Sequence, residues 1–286
     1  MDLLAVTAFG TVYAIATLVL LALGLAVIFG MMGVINLAQA ELLVLGAYTV
    51  LLATSHGASV WAGIALAPLV VGLIGVVIER TIIQFLYGRM LDTMLATWGL
   101  SLALVGTVTL VFGPTTEGIA TPLGYQTIGR YSIAHYNVFV VAVALGALGL
   151  TYGLFNYTGW GLVARATMQN ATMVAGLGVN PARVYMATFA YGSALAGLGG
   201  AIMAPLTGVV PTLGLAFIAK IFITVIVGGP VILLGTTTSG AVLGLVESIV
   251  SYASTPIYGQ VAMLAFAIVL LRLLPQGISG FWRRGV

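Results

Sequence analysis

Apolar runs about as long as a bilayer is thick, repeated from near the first residue to near the last, leave this chain few ways to fold. A membrane core takes roughly 20 apolar residues per helix. Candidate spans fall at about 7–29, 33–54, 59–78, 93–112, 136–156, 184–206, 215–228, 236–253 and 258–274. The second and seventh are the least regular. One of them reads as a broken or re-entrant segment, which would leave eight crossings. Between the runs, too little charge remains to wet a surface: Asp, Glu, Lys and Arg make up 5% of 286 residues, against about 25% in a soluble domain. Membrane lipid must cover the chain instead. The expected fold is all-α, a polytopic transmembrane helix bundle with about 8–9 spans, and residues 1–286 read as a single membrane domain.

The amino terminus reads as the first membrane helix. Asp2 stands where a cleavable signal has basic residues, and the run beginning near Thr7 overruns a signal's length. Charge sorts by loop. Arg80 and Arg89 follow the third span, Arg165 and Arg183 bracket the loop after the fifth, and Arg272, Arg283 and Arg284 close the chain. Glu117, His56 and Arg130 fall in the intervening loops. The positive-inside rule makes the Arg-rich set cytoplasmic and places the C-terminus inside a plasma (inner) membrane. Nine spans put the N-terminus outside; eight bring it in.

Several chemistries are excluded. No G-x-x-x-x-G-K-[ST] occurs and no loop holds a nucleotide-binding fold, so any ATPase is a separate chain. Without cysteine there is no disulfide framework. A net charge of +3, scattered along the chain, gives no footprint for nucleic acid. His56 and His135 have no metal-ligand or nucleophile–base spacing around them, and Gly192-Ser193 has no later histidine to act as base. No cofactor is expected, and the chain reads as a transport protein without catalytic residues.

Charges inside the apolar runs are the first candidates for a solute pathway, because each costs about 2.5–3.5 kcal/mol at mid-bilayer unless sheltered. Glu41 follows Gly30-Met31-Met32-Gly33-Val34-Ile35-Asn36-Leu37-Ala38-Gln39-Ala40, so Asn36, Gln39 and Glu41 crowd beside two glycines. That pattern suits a helix break facing a cavity; a polar clamp between helices would use the same residues. A second interrupted stretch, Ala204 to Gly214 with Pro205 and Pro211, lies in the other half. Thr93, Thr97 and Ser101 are spaced by four and put three hydroxyls on one helical face. Hydroxyls suit a small polar solute, or bond back to their own helix. Trp98 walls a pocket or packs. Glu247 reads as an interhelical clamp.

The cytoplasmic loop 157–183 holds a short helical stretch from Gly161, including Arg165, Met168, Gln169, Asn170, Thr172, Ala175 and Leu177, ended by Gly178, Asn180 and Pro181. Met168, Thr172, Ala175 and Val179 share one small apolar stripe, suited to docking in a partner's groove.

These pieces together carry a resemblance. The run Gly24-Leu25-Ala26-Val27-Ile28-Phe29-Gly30 through Ala38, the loop just described, Gly228-Gly229 with Leu234-Gly235-Thr236, and Leu274-Pro275-Gln276-Gly277 resemble the permeases of branched-chain amino acid and urea ABC importers. The segment from Leu91-Asp92-Thr93 to Thr97-Trp98-Gly99 is similar to the urea permease within that class. The resemblance implies a second, related permease subunit, two cytoplasmic ATPase subunits that dock on 157–183, and an external solute-binding protein. The sequence departs from the pattern at Gln39-Ala40, where His and Gly are usual, and at Val231-Ile232, where Gly-Asn is usual. The leading reading is a permease that imports urea or a related short amide, driven by ATP, on the Thr97-Trp98 segment; the alternatives are the same machine for branched-chain amino acids, and a passive channel or ion-coupled carrier for a small neutral solute. An amino acid needs a receptor for both ammonium and carboxylate, of which Glu41 supplies one.

Overall fold

The computed structural model describes residues 2–128, 131–229 and 231–282. Arg130, Arg283 and Arg284, three of the charges behind the expected orientation, lie outside the described residues. In chain order the elements are α1 (Asp2–Met32), α2 (Gln39–Ser55), α3 (Val60–Thr81), α4 (Met90–Phe112), β1 (Tyr125–Ile128), β2 (Tyr131–Ala134), α5 (His135–Tyr157), α6 (Gly159–Gln169) and α7 (Ala171–Gly176). They continue with α8 (Pro181–Thr207), α9 (Leu213–Gly228), α10 (Ile232–Ala253), α11 (Pro256–Leu273) and α12 (Ile278–Trp282). The fold is a polytopic helical bundle. Its β1–β2 hairpin, with Tyr125 opposite Ala134, is a small addition to the expected all-α chain.

Seven helices among the described residues are long and apolar enough to cross a membrane. The other two apolar helices, α2 and α9, have 17 and 16 residues. At 1.5 Å per residue each reaches about 25 Å, short of a core of about 30 Å. They are the second and seventh runs, the two that read as least regular. Backbone chemistry explains both. Gly33 ends α1 with φ +64°, a conformation that suits glycine because no Cβ clashes. Asn36 Oδ1 then accepts from Ala38 N at 3.0 Å, so α2 starts at Gln39 rather than at 33. In the other half α8 carries through Pro205 and stops at Gly208, φ +71°. A two-way backbone pairing of Glu117 with Val209, at 2.9 and 2.8 Å, holds the stretch that precedes α9.

The chain groups into two compact units: Leu23–Ala120 with Gly149–Ile218, and a second made of the remaining described residues. In the first, α2, α3 and α8 pack backbone to backbone. A Cβ on Gly200 would sit 1.8 Å from Leu43 O, and one on Gly46 2.0 Å from Gly197 O. Between helices that lipid solvates as well as each other, such close approach is a main source of attraction. Ile28, Val34, Leu42, Val71, Ile78 and Phe189 fill the core around them. In the second unit, Leu18, Val227, Leu243, Met263 and Ala267 form the core, with Gly240 against Val19 and Gly244 against Ile15. Leu91, Leu95, Leu102 and Leu110 of α4, like Ile257, Val261 and Ile268 of α11, stand exposed. Lipid or a partner chain covers such faces in a membrane.

Candidate functional site

The polar residues of the first break converge. Asn36, Gln39 and Glu41 are 1–2% exposed. Asn36 Nδ2 donates to Gln39 Oε1 at 3.3 Å, while Leu37 N donates to Thr97 Oγ1 at 3.1 Å. Ser101 Oγ donates to Glu41 Oε1 at 3.1 Å, and Ser101 is midway along α4. The break therefore leans on the hydroxyl face of α4, and that is why the Thr93, Thr97 and Ser101 spacing matters: i, i+4, i+8 keeps all three on the side facing α2.

Two helix starts meet at Glu41. The carboxylate sits in the first turn of α2, and a Cβ on Gly214, in the first turn of α9, would lie 3.1 Å from both Glu41 Oε1 and Ala40 O. Both interrupted stretches of the sequence thus arrive at one point. Helix N-termini carry positive partial charge, which favours an anion there. Glycine at 214 leaves Glu41 its room.

The hydroxyls divide by role. Thr93 Oγ1 donates within its own end of the molecule, to Arg89 O at 2.8 Å or Leu86 O at 3.0 Å. Thr97 Oγ1 donates to Thr93 O at 2.8 Å while accepting from Leu37 N. Ser101 reaches Glu41. Gln39 Nε2 is buried with no hydrogen-bond partner among the described residues, a donor that a solute or an ordered water would satisfy. Trp98 is not brought to this cluster. It is 49% exposed, on the outer face of α4 with Leu95 and Leu102. Asp92 pairs with Arg89 at 2.5 Å on the exposed start of α4.

The loop 157–183 departs from the single helix expected of it. Asn170, at φ −157° and ψ 93°, separates α6 from α7, because its side chain serves as an N-cap and accepts from Met173 N at 2.9 Å. Thr158 caps α6 and Asn180 caps α8. Arg165 turns back to Gly161 O and Asn156 Oδ1, both at 3.4 Å. Gly161 packs so tightly on α5 that a Cβ would meet Leu154 O at 2.4 Å. The break shifts the phase of the expected stripe. Met168, Gln169, Thr172 and Ala175 are exposed, and so are Met173 at 68% and Leu177 at 79%, while Val174 is buried as the anchor. Gly178 follows at φ +87°.

Two ionisable residues, Glu79 and Lys220, were not among the sequence candidates. Glu79, buried at the end of α3, accepts from Tyr87 Oη. Burial first, then that hydrogen bond, push the Tyr87 hydroxyl well above its ordinary range, so it remains a donor. Lys220 of α9 pairs with Glu247 of α10 at 2.5 Å, giving the clamp expected at Glu247 its partner. A lone lysine inside an apolar run was the available signal.

Residues 7–273 match the family described as branched-chain amino acid transport system / permease component. The chain is 27% identical over 288 residues to LivH, a high-affinity branched-chain amino acid transport system permease protein of Escherichia coli K12, with 93% of this chain and 92% of the relative covered. It is 27% identical over 290 residues to LivH of Salmonella typhimurium, and 26% over 284 to BraD of Pseudomonas aeruginosa, each at 93% of this chain and 92% of the relative. No solved structure matches. These relatives are named for branched-chain amino acids, so the similarity of 91–99 to urea permeases finds no counterpart among them. With a helical bundle, a polar break at Glu41 and a match over nearly its whole length, the chain belongs to the permease-component family of branched-chain amino acid transport systems.

Proposed function

We propose that this chain is the membrane-spanning permease of an importer for branched-chain amino acids, moving its cargo inward by alternating access that separate ATPase subunits drive. The observation that carries this reading is the buried Glu41 carboxylate at the meeting of two helix starts, in a chain of this family. Broken helices that line a solute path at mid-membrane use their N-terminal ends and freed backbone groups in this way. Asn36, Gln39, Glu41 and Ser101 line the path, and Thr93 and Thr97 hold its wall. Arg165, Met168, Gln169, Asn170, Thr172, Ala175, Leu177 and Gly178 form the face on which an ATPase docks. The solvent-facing Met and Leu residues of α6 and α7 suit a groove in a partner.

Urea is the competing cargo. The pair that marks the urea-like segment, Thr97-Trp98, is divided: Thr97 is buried and accepts from Leu37 N, while Trp98 stands exposed away from the cluster, which weakens that reading. The deciding experiment is uptake of labelled leucine and labelled urea into vesicles holding this chain with its co-purifying partners, with and without ATP. ATP-dependent leucine uptake is expected. Urea uptake alone would move the cargo, and uptake without ATP would make the chain a channel or carrier.

A further inference from the structure

Lys220 and Glu247 sit in the second compact unit. Their heads meet at 2.5 Å, and each side chain is 17% exposed. Lys220 is the only lysine of the chain, at the middle of α9, where it pairs across to α10 rather than reaching for an interface. A charge pair open on one side cannot face hydrocarbon cheaply, so the opening meets water or protein. The nearby hydroxyls are occupied: Thr224 Oγ1 donates to Lys220 O at 2.7 Å, Ser239 Oγ to Thr224 O at 2.7 Å, and Thr11 bonds Ser248 at 2.7 Å. The two charged heads are what this place offers a ligand. Beside Lys220 on the same helix run Ala219, Ile223 and Ile226, exposed or partly so, an apolar strip one turn apart.

We propose that Lys220 and Glu247 are a receptor for the zwitterionic head of an α-amino acid with an aliphatic side chain. The ligand's carboxylate takes Lys220 Nζ and its ammonium takes Glu247, exchanging one ion pair for two. Ala219, Ile223 and Ile226 take the side chain. Charge balance is kept throughout, so the cost of stripping water from the ligand's charges is offset by groups already desolvated. A neutral amide has no such complement. This proposal rests on the amino acid reading above and supplies the carboxylate receptor that Glu41 lacks.

The test uses the complete transporter in vesicles, and wild-type leucine uptake is measured first; its absence would sink the amino acid reading and this site with it. Given that uptake, the exchange Lys220→Glu with Glu247→Lys keeps an interhelical ion pair while reversing its polarity. The receptor predicts that leucine uptake falls roughly tenfold or more. Uptake within about twofold of wild type would show a clamp only and overturn the proposal. Competition tests each charge alone: 4-methylpentanoate, which lacks the amino group, should compete in Glu247→Gln and not in wild type. Because α-helical repacking could disable the variants, a second measurement uses the wild type alone. Amine-reactive labelling of Lys220, located by mass spectrometry, should be suppressed by leucine beyond the suppression given by an equal concentration of leucinol, which consumes reagent through the same amine but lacks the carboxylate; equal labelling with the two would also overturn the site.

Discussion

Glu41 concentrates the residue-scale argument. It is buried, takes a hydrogen bond from Ser101 and lies against Gly214. Glu41→Gln keeps the shape and an acceptor for Ser101, so the protein should insert and assemble as wild type while uptake falls by about tenfold. Normal uptake would remove Glu41 from the path. Glycines give the sharpest steric prediction. Gly200→Ala drives a methyl to within 1.8 Å of Leu43 O, whereas a Cβ at Gly106 finds nothing within 4 Å. Since backbone cannot swing aside as a side chain does, Gly200→Ala should lower the unfolding midpoint in detergent, costing about 1–3 kcal/mol or more. Gly106→Ala should leave it unchanged or slightly raised.

At the scale of elements, the two short helices and the division of 157–183 at Asn170 are the features to test. Thr97 holds the break before α2 by accepting from Leu37 N. Thr97→Val keeps the volume and loses the acceptor, at a cost of about 1 kcal/mol. Uptake should drop in that variant and return in Thr97→Ser, which keeps the hydroxyl; failure of Ser to restore it would mean the methyl group matters instead. Asn170 caps α7, so Asn170→Ala should cost about 0.5–2 kcal/mol locally. The expected readout is ATP hydrolysis that continues while leucine moved per ATP falls. The short helices were legible in the sequence because Gly33 and Asn36 punctuate the first stretch and Gly208, Pro211 and Gly214 the second. The division at Asn170 was not, since Ala and Met on both sides, with Gln169 before it, favour one continuous helix.

For the whole molecule, the arginine pattern predicts one orientation, and the lack of cysteine makes it directly testable. Thr172→Cys should react with a membrane-impermeant thiol reagent only from the cytoplasmic side, and Gly118→Cys only from outside; the reverse result would invert the topology. What the sequence determined by itself was local: lengths of apolar runs, the stops that glycine and proline impose, and hydroxyls one turn apart on α4. Those features follow from helical periodicity and bilayer thickness, both readable along the chain. It did not determine which faces meet. The spanning helices are apolar nearly all round, so no polar side marks the one that turns outward. The tertiary structure alone brought Gly214 to Glu41, Leu37 to Thr97 across 60 residues, and Lys220 to Glu247 across 27. The physical reason is that packing in a membrane is chosen by close backbone contact and by pairing of polar groups that lipid cannot solvate, and both depend on partners distant in the chain.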